Sequence, residues 1–213
     1  MHDLEFFFDP ICPWAWITSR LTVEVADQRG LDIEWRFICL RMVNEKKDYE
    51  RDFPQGYVSS HGGGRRMLRI AAAARDHGGN DAVAALYTAL GEELHAGARS
   101  SEVRDGDYRV IGDAVRIAGL PPSLTAAGED EAYDEVLHEE TGIALARTGK
   151  DVGTPIITFS PGTDEETSFF GPVISRIPRG EEALRIWDAV ELLARTPGLA
   201  ELKRSARARP AFG

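Results

Sequence analysis

Phe6-Phe7-Phe8-Asp9-Pro10-Ile11-Cys12-Pro13-Trp14-Ala15-Trp16 is the stretch on which the fold turns. A wholly apolar run breaks at Asp9-Pro10 and reaches a cysteine followed by proline and an aromatic-rich helix start. The pattern predicts a buried strand that ends just before a helix, with Cys12 at or beside the N-cap. Pro13 suits the first helical turn, where a missing N–H costs nothing. A thiol in that place faces unpaired backbone N–H groups and the positive end of the helix dipole, so a favoured thiolate is expected. Three residues on, where a dithiol oxidoreductase carries its second cysteine, this chain has Ala15.

Working outward, Leu4 to Phe8 is apolar on both faces and reads as a central strand. Apolar residues at Trp14, Ile17, Leu21 and Val25, with a second stripe at Trp16 and Val23, predict a helix closed by Gly30. Ile33 to Leu40 is the next strand, and the three elements make a right-handed parallel βαβ unit. Between Asn44 and Gly149 the spacing predicts helices over 66–75, 81–95, 107–118 and 129–147, with no strand. Strand character returns at 154–159, pairs back over 167–171 as a hairpin, and gives way to a last helix opening near Gly180.

The chain has 213 residues, 43% hydrophobic and 28% charged, enough for one sizeable core. A net charge of -10 argues against a nucleic-acid binder, because Lys and Arg supply phosphate affinity. Lys203, Arg204, Arg207 and Arg209 form a small basic tail, read as a solvated end. No run approaches the roughly 20 apolar residues that span a bilayer, and strand-like sequence by Leu4 leaves no room for a signal peptide. The expected compartment is therefore the cytoplasm, with Cys12 and Cys39 reduced and no membrane partner.

The histidines show no metal-ligand spacing, and no Walker loop or Gly-x-Gly-x-x-Gly occurs, so neither a metal nor a nucleotide cofactor is expected. His61-Gly62-Gly63-Gly64-Arg65-Arg66 resembles a lipase oxyanion loop, but no Gly-x-Ser-x-Gly accompanies it, which rejects hydrolysis. It reads either as a flexible surface loop or as a Gly-rich approach to a helix where His61 and Arg65 bind an anionic group, such as a thiol cofactor's carboxylate. Trp14 and Trp16 offer an apolar wall for an aromatic substrate, with Trp16 equally suited to the core. Cys39, within the second strand, reads as a core thiol ahead of a resolving partner for Cys12, and His95 as a helix-end histidine ahead of a pocket residue.

Thr154-Pro155 opens a strand more than a hundred residues after Cys12. Proline at the head of a buried strand is hard to place unless its N–H side is free or the bond is cis. A βα unit with cysteine at the helix start and a distal hairpin opening on proline together describe the thioredoxin fold. In that fold the cis-proline loop packs against the cysteine, and the preceding residue, here Thr154, offers its backbone to an incoming thiol. The expected division is an α/β thioredoxin-like domain from 1–43 and 150–213, with an inserted all-helical domain from 44–149.

Residues 8–20, Phe-Asp-Pro-Ile-Cys-Pro-Trp-Ala-Trp-Ile-Thr-Ser-Arg, resemble the start of the DsbA-like mycothiol-dependent nitroreductases of actinobacteria. Leu86–Gly91, Asp151–Pro155 and Phe169–Glu182 are also similar, so the resemblance runs from Leu4 to about Arg204. It implies a helical domain lying over the active site and reduction of electrophilic or nitroaromatic compounds. It also implies electrons supplied by mycothiol or a comparable small thiol such as glutathione, and a homodimer. The family pattern is Cys-Pro-Trp-Cys, and Ala15 departs from it. Either Cys12 works by a monothiol route, forming a mixed disulfide that a second small thiol resolves, or a resolving cysteine has been replaced by alanine. Two other readings stand beside the oxidoreductase. One is a transferase or isomerase like the kappa-class glutathione transferases and 2-hydroxychromene-2-carboxylate isomerases. The other is a thioredoxin-like domain that binds partners without chemistry.

Overall fold

The computed structural model describes residues 2–206 and 208–212; Arg207 of the basic tail lies outside the described residues. Four strands form one sheet in the order β2-β1-β3-β4: β1 (Leu4–Phe8), β2 (Ile33–Phe37), β3 (Ile156–Phe159) and β4 (Thr167–Phe170). β1 runs parallel to β2 and antiparallel to β3, which pairs antiparallel with β4. All five residues of β1 are buried, as a strand covered on both faces requires.

The two faces bury different things. Phe6 and Phe8 join Trp35 and Phe37 in an aromatic cluster, where Phe8 stacks on Tyr87 at 3.9 Å and Trp35 meets the same ring edge-on at 5.4 Å. Such pairs add about 0.5–1.5 kcal/mol each beyond the area they bury. Phe7 points the other way, into a smaller cluster with Ile38, Ala144 and Ile156. On that second face Glu5, 5% exposed, is held by Arg36 at 3.1 Å and by Arg147.

Helix α1 (Pro13–Arg29) follows β1 and ends on Gly30, whose φ of 68° is the left-handed cap expected of it. Between β2 and β3 come α2 (Leu40–Val43), α3 (Tyr49–Asp52), α4 (Tyr57–Gly91), a π-helical turn (Glu92–Ala96), α5 (Ser100–Arg104), α6 (Arg109–Ile117) and α7 (Asp134–Thr148). Two 3₁₀ turns, Pro122–Glu129 and Glu131–Tyr133, occupy the front of the segment expected to be a helix from 129, because Asp130 caps Ala132 there and α7 opens only at Asp134. α8 (Gly180–Ala194) packs beside α1 and buries Ala183 and Trp187. No helix among the described residues is long and apolar enough to cross a membrane.

α4 joins the two helices expected over 66–75 and 81–95, with a break between them at Gly78 and at Gly79, where φ is 70°. The break turns Asn80 onto β2, the open edge of the sheet. There Trp35 N–H donates to Asn80 Oδ1 at 2.9 Å, and Asn80 Nδ2–H returns a bond to Ile33 O at 2.7 Å. Phe37 N–H donates to Glu140 Oε2 at 2.7 Å, and Cys39 N–H to Thr141 Oγ1 at 2.9 Å. Three side chains from the helices thus satisfy an edge that would otherwise be free to pair.

Candidate active site

Cys12 is the N-cap of α1, in extended conformation at φ -85° and ψ 112°, with Pro13 in the first turn. Its N–H donates to Asp9 O at 3.0 Å, and Trp16 N–H donates to Cys12 O at 3.1 Å, so the strand turns into the helix within four residues. The backbone N–H groups of Ala15 and Trp14 lie beside the sulfur and favour its anion, although neither closes a cap hydrogen bond on it. From across the sheet the Thr154 carbonyl accepts the Cys12 S–H at 3.7 Å. The Thr154-Pro155 peptide is cis. Thr154 Oγ1–H donates to Phe7 O at 2.8 Å, which ties this loop to the end of β1. Cys12, Pro13, Trp14, Ala15, Thr154 and Pro155 therefore meet at one point.

The electrostatics there correct the expectation of a favoured thiolate. The sulfur's backbone donors are in place and pull the pKa down. However, Cys12 is only 7% exposed, and burial pushes the thiol up to about 11, with the Asp9 charge adding to the rise. In this closed arrangement the thiol keeps its proton, because desolvation of the anion outweighs the pull of the two nearby N–H groups.

Two further neighbours complete the site: Asp9, which has no functional reading in the sequence, and His95, whose secondary reading there is as a pocket residue. Asp9 is fully buried, and its carboxyl accepts Leu40 N–H at 2.9 Å and Ile11 N–H at 3.2 Å. Burial raises it to about 7, despite both bonds. The one sequence signal was an acid set within an apolar run, which served only to mark the end of the strand. His95 lies in the π-helical turn, 5% exposed, with Nε2–H donating to Pro10 O at 2.9 Å; burial pushes it down to about 4. Inserted turns of this kind recur at functional sites and have no sequence signature.

Other expectations are corrected. His61-Gly62-Gly63-Gly64-Arg65-Arg66 is neither a loop nor a helix entry; it lies inside α4, which opens at Tyr57. Gly63 and Gly64 serve close packing, whereas Gly62 faces open space. A Cβ on Gly63 would stand 2.2 Å from Val103, and one on Gly64 would stand 2.6 Å from Asp9 Oδ1. His61 is buried among Tyr49, Phe53 and Tyr57 and shares a 2.9 Å hydrogen bond with the Tyr49 hydroxyl. Burial and the nearby Arg41 and Lys47 charges push it down to about 4, so it is neutral and offers an anion no charge. Arg65 is loosely paired with Asp134 at 3.9 Å and Glu131 at 4.0 Å. Trp16 is 1% exposed, packed edge-on to Tyr87 and under Arg20, and presents no open face to a substrate. Trp14 stays half-buried. Cys39 is past the second strand, not within it: it N-caps α2, fully buried, with its thiol pushed up to about 12.

Solved structures share this architecture. A Nitrosomonas europaea protein that carries a disulfide-isomerase description aligns with a TM-score of 0.56 at 15% identity, over 89% of this chain and 96% of its own. 2-Hydroxychromene-2-carboxylate isomerase aligns with a TM-score of 0.56 at 16% identity, over 90% and 96%. At those identities they show the fold alone, a DsbA-like thioredoxin fold with a helical insertion. The uncharacterized protein Rv2286c of Mycobacterium tuberculosis is 29% identical over 208 residues, 96% of this chain and 82% of its own length. A family described as Rv2466c-like, mycothiol-dependent nitroreductase Rv2466c, matches residues 11–204, a span that holds Cys12, His95, Thr154 and Pro155. The chain belongs to this Rv2466c-like family, whose description is that of a thiol-dependent oxidoreductase.

Proposed function

We propose that the protein is a thiol-dependent oxidoreductase of the cytoplasm in which Cys12 is the single nucleophile and mycothiol, or a similar small thiol, the electron donor. The observation that carries this reading is the Cys12 sulfur set between the helix N–H groups of Trp14 and Ala15 and the Thr154 carbonyl. A thiolate formed there attacks one sulfur of a small disulfide RSSR, giving Cys12–S–S–R and releasing RSH once the leaving thiolate takes up a proton. With alanine at position 15, no internal thiol displaces R. A second small thiol, R′SH, attacks the adduct instead, which regenerates Cys12 and yields RSSR′. When the acceptor is a nitroaromatic compound, two thiols become one disulfide and supply two electrons and two protons, which take a nitro group to nitroso and water. Trp14, half-buried in the first turn of α1, is the side chain assigned to such a ring on this reading. The fold divides, on this reading, into a catalytic domain (1–43 and 150–213) and a covering helical domain (44–149).

Intact mass after incubation with glutathione disulfide or mycothiol disulfide tests the proposal. One thiol adduct is expected, reversible by dithiothreitol and absent in Cys12→Ser. In Ala15→Cys the adduct should give way to an internal disulfide. No adduct on the wild-type protein, or an adduct that persists in Cys12→Ser, sinks the reading. Ala15 also favours a second reading, an isomerase or transferase in which bound thiol adds to and leaves a substrate. That activity would turn over with reduced thiol and make no disulfide.

A further inference from the structure

The described residues from 195 to 209 are almost all exposed and, past α8, form no helix or strand; at 210–212 the chain turns back against the body. Phe212 is half-buried, and its ring lies 5.6 Å from that of His95, tilted by 31°. The same histidine holds the Pro10 carbonyl, two residues before Cys12. Ala211 N–H donates to Ser175 O at 2.7 Å. Ser175 belongs to the loop after β4, which is itself fixed to α1 where Thr18 Oγ1–H donates to Pro172 O at 2.6 Å. The returning segment therefore bridges from the β4 loop to His95, the residue that holds the Pro10 carbonyl.

We infer that residues 208–212 form a strap over the Cys12 end of the site, with Phe212 as its latch on His95, and that the thiol becomes reachable when the strap lifts. The inference rests on the proposed role of Cys12. An incoming disulfide needs a straight approach to the sulfur, and Cys12 is 7% exposed. Something beside it has to move. The 154 loop is tied to β1 through Thr154 and to the hairpin through Gly171 N–H to Pro155 O at 2.9 Å. The strap, in contrast, is tied by a backbone bond and a ring contact and stands on an exposed arm, which places it at the low-stability end of the molecule. Lifting it admits water as well as substrate. The Ala15 and Trp14 N–H groups then act on a solvated sulfur, so access and thiolate formation arrive together.

The test is the rate at which iodoacetamide alkylates Cys12, read by peptide mass, in the wild-type protein, in Phe212→Ala and in a chain ending before residue 208. Cys39, fully buried at the start of α2, is the internal reference. Both variants should alkylate Cys12 roughly tenfold faster or more, since reactivity scales with the fraction of open protein. Cys39 should stay unchanged, and the midpoint of the rate–pH profile should move down. Equal Cys12 rates in all three proteins, or Cys39 rising in step with Cys12, overturns the strap. Alkylation reads access and thiolate formation but not disulfide exchange, so a strap confirmed in a protein that forms no mixed disulfide would count against the oxidoreductase reading only.

Discussion

Replacing Asp9 with asparagine should alter how stability depends on pH, in a direction and by an amount that the structure sets. The carboxyl is fully buried and raised from the ordinary 3.8 to about 7. Between those values the unfolded carboxyl is ionised while the native one keeps its proton, so the native state binds more protons and stability falls as pH rises. The contribution is complete below 3.8 and gone above about 7. At about 1.4 kcal/mol per unit the whole swing is on the order of 4 kcal/mol, of which about 3 falls between pH 5 and pH 8. His61 and His95, both pushed down to about 4, act the other way: their contribution is present above 6.5 and lost as pH falls toward 4. The wild-type curve therefore mixes opposed slopes, and the difference between the two proteins isolates Asp9. In Asp9→Asn the amide NH₂ faces the N–H of Leu40 or Ile11, which costs about 1–3 kcal/mol at every pH. Urea unfolding at several pH values should show the variant less stable near pH 5 and gaining on the wild type by about 3 kcal/mol toward pH 8. Parallel curves would refute the account of a protonated carboxyl beneath Cys12.

Four further substitutions test the packing around the site. Gly91→Ala would set a Cβ 2.1 Å from the Trp16 ring, so about 1–3 kcal/mol should be lost in urea unfolding as Trp16 is driven from its place. Gly62 and Gly63 are neighbours in α4 with opposite surroundings. Nothing lies within 4 Å of a Cβ on Gly62, so Gly62→Ala should stabilise the helix by about 0.5–1 kcal/mol, while Gly63→Ala, 2.2 Å from Val103, should destabilise; a shared sign in thermal melts would contradict the packing. Asn80→Ala leaves Trp35 N–H and Ile33 O on the edge strand without their partner and should cost about 1–3 kcal/mol, seen as faster hydrogen exchange in β2.

What the sequence disclosed and what it withheld follow from the range of the forces involved. The βαβ unit, the Gly30 cap and the late hairpin are written in local periodicity and in proline and glycine punctuation, and they appear within a few residues of their expected ends. The meeting of Cys12 with Thr154 was legible because both ends carry a proline signal and the fold brings them together. His61 misled because three consecutive glycines read as a loop wherever packing partners are unseen; Val103 and Asp9, which require Gly63 and Gly64, are distant in sequence. The same holds for the Cys12 thiol. Its helix donors are local and were foreseen, whereas its burial depends on segments far along the chain and was not. Asp9, His95 and Phe212 acquire roles only through long-range contacts, and no local pattern encodes those.

These long-range contacts change the chemistry expected of the cysteine. With a thiol near 11, the thiolate fraction at neutral pH is on the order of one in ten thousand. Yet the donors that lower a cysteine at a helix start are already aimed at it. The two facts are compatible if the sulfur reacts from an arrangement more solvated than the resting one, in which burial has gone and the donors remain. Opening then serves as both admission and activation, and a thiol that stays protonated while closed is protected from adventitious oxidation, which follows thiolate character and exposure. Ala15 extends the argument to the return step. A dithiol site expels its adduct from within and can close at once. On the proposed mechanism an adduct on Cys12 stays until an outside thiol reaches the same sulfur by the same route, so the site would have to remain open through both exchanges. Turnover on this mechanism should rise with the concentration of the resolving thiol, and Ala15→Cys should abolish that dependence by moving the second attack inside the protein.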